Sequence, residues 1–202
     1  MRQQHLFGRI ARPALALAIA VASVSCGDVV RQGRGSSYLI IDRLEAARGG
    51  TASEEFDGVL ASDVKTRGGV AEDVGRVSLR LAMKDVTLPT EPTTNNSITI
   101  TRYRVEFKRA DGRNTPGVDV PHAFDGGITV TVSGSTAVQA TFTIVRVQAK
   151  FEPPLITLTG LGGAVAISTI ADVTFYGRDQ AGNEVSITGK IGVDFADWAD
   201  ED

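Results

Sequence analysis

The sequence predicts an all-β chain: an antiparallel β-sandwich over residues 37–198, of about eight or nine strands, behind an N-terminal export segment. Three observations carry that expectation. Apolar residues recur at every second position through several stretches, the period at which one strand face meets a core and the other meets water. Clusters of Gly, Asn, Asp and Pro punctuate those stretches, as the connections between antiparallel strands require. One residue of 202 is a cysteine, so no internal disulfide staples the fold and the core must form by burial alone.

Residues 1–25 have the layout of an export signal. Arg2, Arg9 and Arg12 precede an apolar run, Ala14–Ala22, and no acidic residue stands among them. The run is shorter than the roughly 20 residues that cross a bilayer and fits the roughly 7–15 of a signal core. No adjacent arginine pair marks a twin-arginine route. Two cuts compete. Ala20-Val21-Ala22 places one before Ser23; Ser23-Val24-Ser25-Cys26 places the other before Cys26. At these last residues the segment resembles bacterial lipoprotein signals, with Ser23 standing where that family carries Leu or another apolar residue. The resemblance implies that the Cys26 sulfur receives a diacylglycerol and holds the chain at a membrane. Gly27, rather than Asp, then implies the outer membrane; the cut before Ser23 implies a secreted or periplasmic chain instead. Chemistry favours Cys26, because a free thiol is a liability in an oxidising compartment. Residues 26–36 are the anchor and a tether of Gly, Ser and charge.

The strands follow in order. "SYLIIDRLEAA" (37–47) reads as a strand or as a strand running into a helical turn, and its periodicity does not decide. In "RVSLRLAMKDV", Val77, Leu79, Leu81 and Met83 alternate with Ser78, Arg80, Ala82 and Lys84. "LPTEPTTNN" ends that strand in a loop. In "SITITRYRVEFKR", Ile98 and Ile100 are in phase, and Tyr103, Val105 and Phe107 are in phase one position later. A β-bulge near Thr101–Arg102, or a bend between sheets, keeps both sets on one face. "TFTIVRVQAKF" carries the same slip and reads as a second long strand, ended by Pro153-Pro154.

The clearest hairpin closes the chain. Val185, Ile187, Ile191, Val193 and Phe195 alternate with polar residues after the turn Asp179-Gln180-Ala181-Gly182-Asn183. From Asp172 to Phe195 the chain resembles bacterial immunoglobulin-like and fibronectin-III-like modules, which often end on a strand, a D-x-x-G-N turn and a last strand. The resemblance implies a binding, spacing or assembly module on the cell surface, with no catalytic residue.

Composition narrows the partners. Losing residues 1–25 removes three arginines from a chain already at a formal charge of −3, which argues against nucleic acid or an anionic membrane face. The acidic tail, 199–202, reads as a solvated terminus. His5 leaves with the signal, and His122 stands alone in a loop, too little for a zinc site or a Ser-His-Asp system. Asp111, Asp119 and Asp125, with Asn114, fall in or near loops without calcium-loop spacing. "GLGGA" (160–164) lacks the lysine of a phosphate cradle. Trp198 reads as core packing. No catalytic, metal or cofactor residue is expected; the one assigned site is lipidation at Cys26. The expected role is a lipid-anchored envelope module that contacts another envelope protein or a polysaccharide. The rivals are a carboxylate-dependent enzyme on envelope polymers and a subunit that pairs through an exposed strand edge.

Overall fold

A computed structural model of the chain describes residues 35–198, apart from 52–54, 68, 86 and 88–89. Cys26, the signal, most of the tether and the 199–202 tail lie outside the described residues. Eight strands form two sheets. They are β1 (Ser37–Ala47), β2 (Val59–Asp63), β3 (Asp73–Met83), β4 (Ile98–Lys108), β5 (Phe124–Val132), β6 (Val138–Val145), β7 (Ile167–Asp179) and β8 (Glu184–Ala196). One sheet has the order β1-β3-β6, the other β2-β8-β7-β4-β5.

The period-two residues face inward as expected. Val77, Leu79 and Leu81 of β3 are buried, as are Ile98 and Ile100 of β4. Tyr103, Val105 and Phe107 are buried too, because the β4 ladders shift register between Ile100 and Arg102. Without that bulge the second set would face water. "SYLIIDRLEAA" is strand throughout. At the closing turn, Asp179 Oδ1 accepts the N–H groups of Ala181 and Asn183 at 3.0 and 2.8 Å. Gly182 takes φ 81°, which a side chain would resist.

Two expectations are corrected. The sandwich is not wholly antiparallel: β2 runs parallel to β8, from Val59↔Gly192 to Asp63↔Ala196. The 48–58 connection crosses between sheets and brings the chain back in the same sense as β8. The strand in "TFTIVRVQAKF" ends at Val145, and Val147–Lys150 is a helical turn. Val145 pairs with Asp73, the first residue of β3, so nothing remains beyond it to pair with. Asp125, the second residue of β5, lies near the loop that precedes that strand.

Four aromatic rings fix how the sheets stack. Phe142 of β6 meets Tyr103 of β4 at 5.1 Å and Phe175 of β7 at 5.3 Å, the latter edge-on. Tyr103 also meets Phe124 of β5 edge-on at 6.3 Å. Each of the two central rings covers a glycine on the neighbouring strand. Phe142 lies over its ladder partner Gly75, and Tyr103 over its partner Gly126. A Cβ at either glycine would overlap the ring. Bare glycine weakens a strand, and the ring above it restores the lost packing.

Urea unfolding tests this pairing. Gly75→Ala and Gly126→Ala should each lose about 1–3 kcal/mol through overpacking. Gly127→Ala, whose Cβ meets nothing within 4 Å, should stay within about 0.5 kcal/mol of the parent.

Candidate binding margins and a buried ion-pair network

Three strands do not cover five. Phe142 sets β6 over β4 and β7, the β5 backbone lies near β6 at one margin, and β8 and β2 lie near β1 at the other. The side chains there are only partly covered: Ile128, Val138 and Ala140 at the first margin, and Ile41, Leu44, Val185 and Ile187 at the second. Each margin holds a groove. The β5/β6 groove is about 450 Å³ and is lined by Gly127–Val130, Gln139–Thr141 and Arg76. The β1/β8 groove is about 510 Å³ and is lined by Leu39–Leu44 and Ile187–Lys190.

The two margins differ in chemistry. At the second, β1 breaks register between Ile41 and Arg43 and carries Asp42, Arg43 and Glu45. Asp42 accepts from Arg80 Nε at 2.7 Å, and Glu45 from Arg76 at 2.9 Å. β2 covers the far half of β8 there. A bulge, charges and a short strand are the usual devices that stop an edge from pairing with another chain. At the first margin the strands themselves carry no charged residue and no proline from Gly126 to Val145, and Arg76 of β3 supplies the groove's charge. The β5 edge is interrupted, since its register slips between Val130 and Gly127. The β6 edge is regular from Val138↔Leu79 to Thr143↔Val74, and among the described residues β3 is its one ladder partner.

The far end of the sandwich, where β1, β2, β6 and β8 finish and β3 begins, holds charge inside the protein. Lys150 is 2 % exposed and Asp73 0 %. Lys150 Nζ donates to Asp73 Oδ1 at 3.0 Å and to the Ala71 carbonyl at 2.7 Å. Asp73 also accepts from the Gly49 N–H at 2.9 Å and from Ser62 Oγ at 2.6 Å. Beside it, Asp63 accepts from Arg48 at 2.6 Å and from the Trp198 N–H at 3.0 Å. These bonds tie five separate stretches of chain. Burial pushes the Asp73 carboxyl above its ordinary value, against the pull of Lys150, the Gly49 N–H and Ser62. Burial raises Asp63 too, against Arg48. Every carboxylate oxygen here is already engaged, so the cluster reads as a clasp that pins the helical turn to the start of β3.

The residues singled out in the sequence do not converge. Asp111 is held between Arg109 at 2.7 Å and Arg113 at 3.0 Å, which keep its carboxyl well below the usual range. Asp119 accepts from the Thr115 N–H at 3.2 Å. Asp125 sits between Arg102 and Arg104 at 2.6 and 2.8 Å on the outer sheet face. Among the described residues no three His, Cys, Asp or Glu side chains group to hold a metal ion. His122 packs its ring against Gly117. "GLGGA" is a turn with positive φ at Gly160, Gly162 and Gly163. The Trp198 ring lies beside Gly163 and is half-buried rather than in the core. Sequence reasoning missed the Asp73–Lys150 clasp. Its signal was Asp73 itself, in phase with the buried Val77 and Leu79.

No family model matches the chain, and no curated protein matches it. Two solved structures resemble it. One is the X-ray structure of a structural-genomics target, SoR45, at 11% identity and TM-score 0.37, covering 78% of this chain and 84% of that one. The other is the solution structure of a putative late embryogenesis abundant protein, at 13% identity and TM-score 0.41, covering 95% and 94%. At those scores neither likeness assigns a family or a role.

Removing Lys150 tests the clasp. Lys150→Met should destabilise by about 3–5 kcal/mol, because it leaves a buried carboxylate without its cation; Lys150→Met with Asp73→Leu should recover most of that. In the single variant the folded Asp73 lies further above its unfolded value. Its contribution is then fully present below the unfolded pKa and is lost as pH rises through the raised folded one. The deficit should therefore shrink as urea titrations move from neutral to acid pH.

Proposed function

We propose that the chain is a lipid-anchored cell-envelope protein whose β-sandwich is a binding or structural module for envelope proteins or polysaccharide. The observation that carries this is the solitary Cys26 directly behind an apolar run and a small-residue cut site. A diacylglyceryl group and an amide-linked chain at that residue supply more than one acyl chain, which stable anchoring takes; each buried CH₂ contributes about 0.8 kcal/mol. A tether over residues 27–36 reaches at most roughly 35 Å when extended. It meets the sandwich at the near end, where Asn96 donates to Ser36 Oγ at 2.7 Å and Lys84 N–H to the Ser36 carbonyl at 2.9 Å.

The strand order supports an immunoglobulin-like reading of the module. β1, β3 and β6 correspond to strands A, B and E of one sheet, and β5, β4, β7 and β8 to C′, C, F and G of the other. The β7–β8 hairpin is then the closing F–G pair. Such sandwiches serve many unrelated roles, so the fold by itself names no ligand.

Fractionation of cells expressing the full chain or its Cys26→Ser variant tests the anchor. The parent should sediment with membranes, and its intact mass should equal the chain from Cys26 plus acyl groups. Cys26→Ser should move to the soluble fraction or retain its signal. A parent that begins at Ser23 with a free thiol would end the lipid-anchor reading.

A further inference from the structure

We propose that the far end of the sandwich is a contact for a lipid surface with zwitterionic headgroups, made by the turns that join β6 to β7 and β4 to β5. The proposal goes beyond the anchor reading and does not need an acylated Cys26. Among the described residues nine large apolar side chains are exposed, and six of them stand on these two connections: Val118, Val147, Phe151, Ile156, Leu161 and Val165. Tyr38 is the one that lies at the near end. Single exposed apolar residues are ordinary, but their collection at one end of a fold marks a contact with protein or lipid. The two connections also meet. Arg146, just before Val147, lays its guanidinium over the ring of Phe124, the first residue after the β4–β5 loop, at 4.4 Å.

These outward residues are not misplaced core. In the helical turn, Ala149 and Lys150 are buried, while Val147 and Phe151, four positions apart, stand out on the other side. In the turn Leu155–Leu158 both leucines are buried, and Ile156 between them is 44 % exposed. Phe151 is 58 % exposed and Val118 66 %. Each tip is held by its own backbone. The Thr115 carbonyl accepts the N–H groups of Val118 and Asp119 at 3.1 and 2.9 Å, and the Glu152 carbonyl accepts that of Ile156 at 3.1 Å.

Charge selects the occupant. From Val147 to Ala171 the chain carries one cation and one anion. The cation, Lys150, is drawn inside to Asp73, and the anion, Glu152, accepts from Gln148 at 2.8 Å. The other polar side chains from Pro153 to Ala171 are threonine and serine hydroxyls. Carrying a charged side chain into lipid is costly, and these turns present almost none. Around Val118 the charges are met within the loop: Asp111 lies between Arg109 and Arg113, and Asp119 accepts from the Thr115 N–H. An anionic surface fits less well, because Asp197, which accepts the Gly160 N–H, begins the acidic run of the chain beside these same turns. Across the far end Lys65 and Arg67, on the β2–β3 connection, balance Glu152 and Asp197 rather than outweigh them. A protein partner needs a surface of complementary shape. The tips stand on separate tight turns, and the two grooves of the sandwich lie at its margins instead. A lipid layer takes up separate apolar tips without such a complement.

The probe is phosphatidylcholine vesicles that carry a nitroxide on the acyl chain. The full chain, with an environment-sensitive fluorophore on Thr159→Cys, is incorporated into these vesicles in one arm. In a second arm it sits in plain phosphatidylcholine vesicles, and nitroxide vesicles are added from outside. In at least one arm the label at 159 should be quenched roughly threefold more than the same label on Thr136→Cys, in the near-end turn between β5 and β6. Phe151→Ser with Ile156→Ser should remove most of that difference, Tyr38→Ser should leave it, and phosphatidylglycerol in the vesicles should not increase it. The two labels report on the parent tips, so the comparison stands even where the double variant folds poorly. Equal quenching at 159 and 136 in both arms, or a difference that survives the double variant, would overturn the proposal. So would a rise with phosphatidylglycerol, which would make the surface anionic. A concentration-dependent dimer in detergent that Phe151→Ser abolishes would overturn it too, by making a second copy the occupant. Where intact mass shows Cys26 without acyl groups, the labelled chain carrying Cys26→Ser is added to the nitroxide vesicles from outside with the same expected result. Failure here and failure of the anchor reading are thereby told apart.

Discussion

The constraint on which the rest of the structure depends is a mismatch of widths: a three-stranded sheet must cover a five-stranded one. Phe142 sets the alignment by stacking on Tyr103 and Phe175, and Gly75 and Gly126 make room for the two rings. With Phe142 fixed over Tyr103 and Phe175, the outer strands of the wider sheet are roofed only in part. Apolar side chains at those margins are covered on one side only. Their hydrophobic stabilisation is incomplete, because the contribution follows the area removed from water. The two grooves are consequences of strand count, not separate inventions of the surface.

Charge is distributed to suit that frame. The outer face of the five-stranded sheet carries cross-strand pairs, with Asp125 between two arginines and Asp172 between Lys108 and Lys190 at 3.0 and 2.5 Å. Such exposed pairs contribute about 0–1 kcal/mol each and keep that face solvated. Lys150 and Asp73 are different. They are enclosed, and each polar atom must be met by the protein. Their value lies in geometry: they draw the turn after β6 onto the start of β3 and Gly49 onto both. The far end is thereby closed, while the β6 edge remains straight up to it.

Much of the fold was legible because a strand's period is short and each face has one fate. Val77, Leu79 and Leu81 declared β3, and the one-residue slip after Ile100 called for a bulge or a bend, of which the structure has the bulge. The Asp179–Asn183 turn followed from residues that bond their own backbone. What could not be read was long-range. Nothing local says that β2 lies parallel to β8, since that depends on where an eleven-residue connection lands. "TFTIVRVQAKF" misled because an apolar alternation continues past the point where β3 runs out. Nothing local marks Lys150 for burial, since its partner Asp73 lies 77 residues earlier. The open margin was written plainly in the charge-free stretch from Gly126 to Val145. Its meaning needed the sheet order, because the same stretch in a central strand would be ordinary core.

The most direct measurement of that openness is residue-resolved hydrogen exchange on the free chain under native conditions. Along Val138–Thr143, amides bonded to β3 should exchange slowly, and those between them should exchange nearly as fast as loop amides. The interior strands β3, β4 and β7 should show no such alternation. Uniform slow exchange along β6 would mean that this edge is already covered, and the account of the sandwich as one strand short on that side would be wrong.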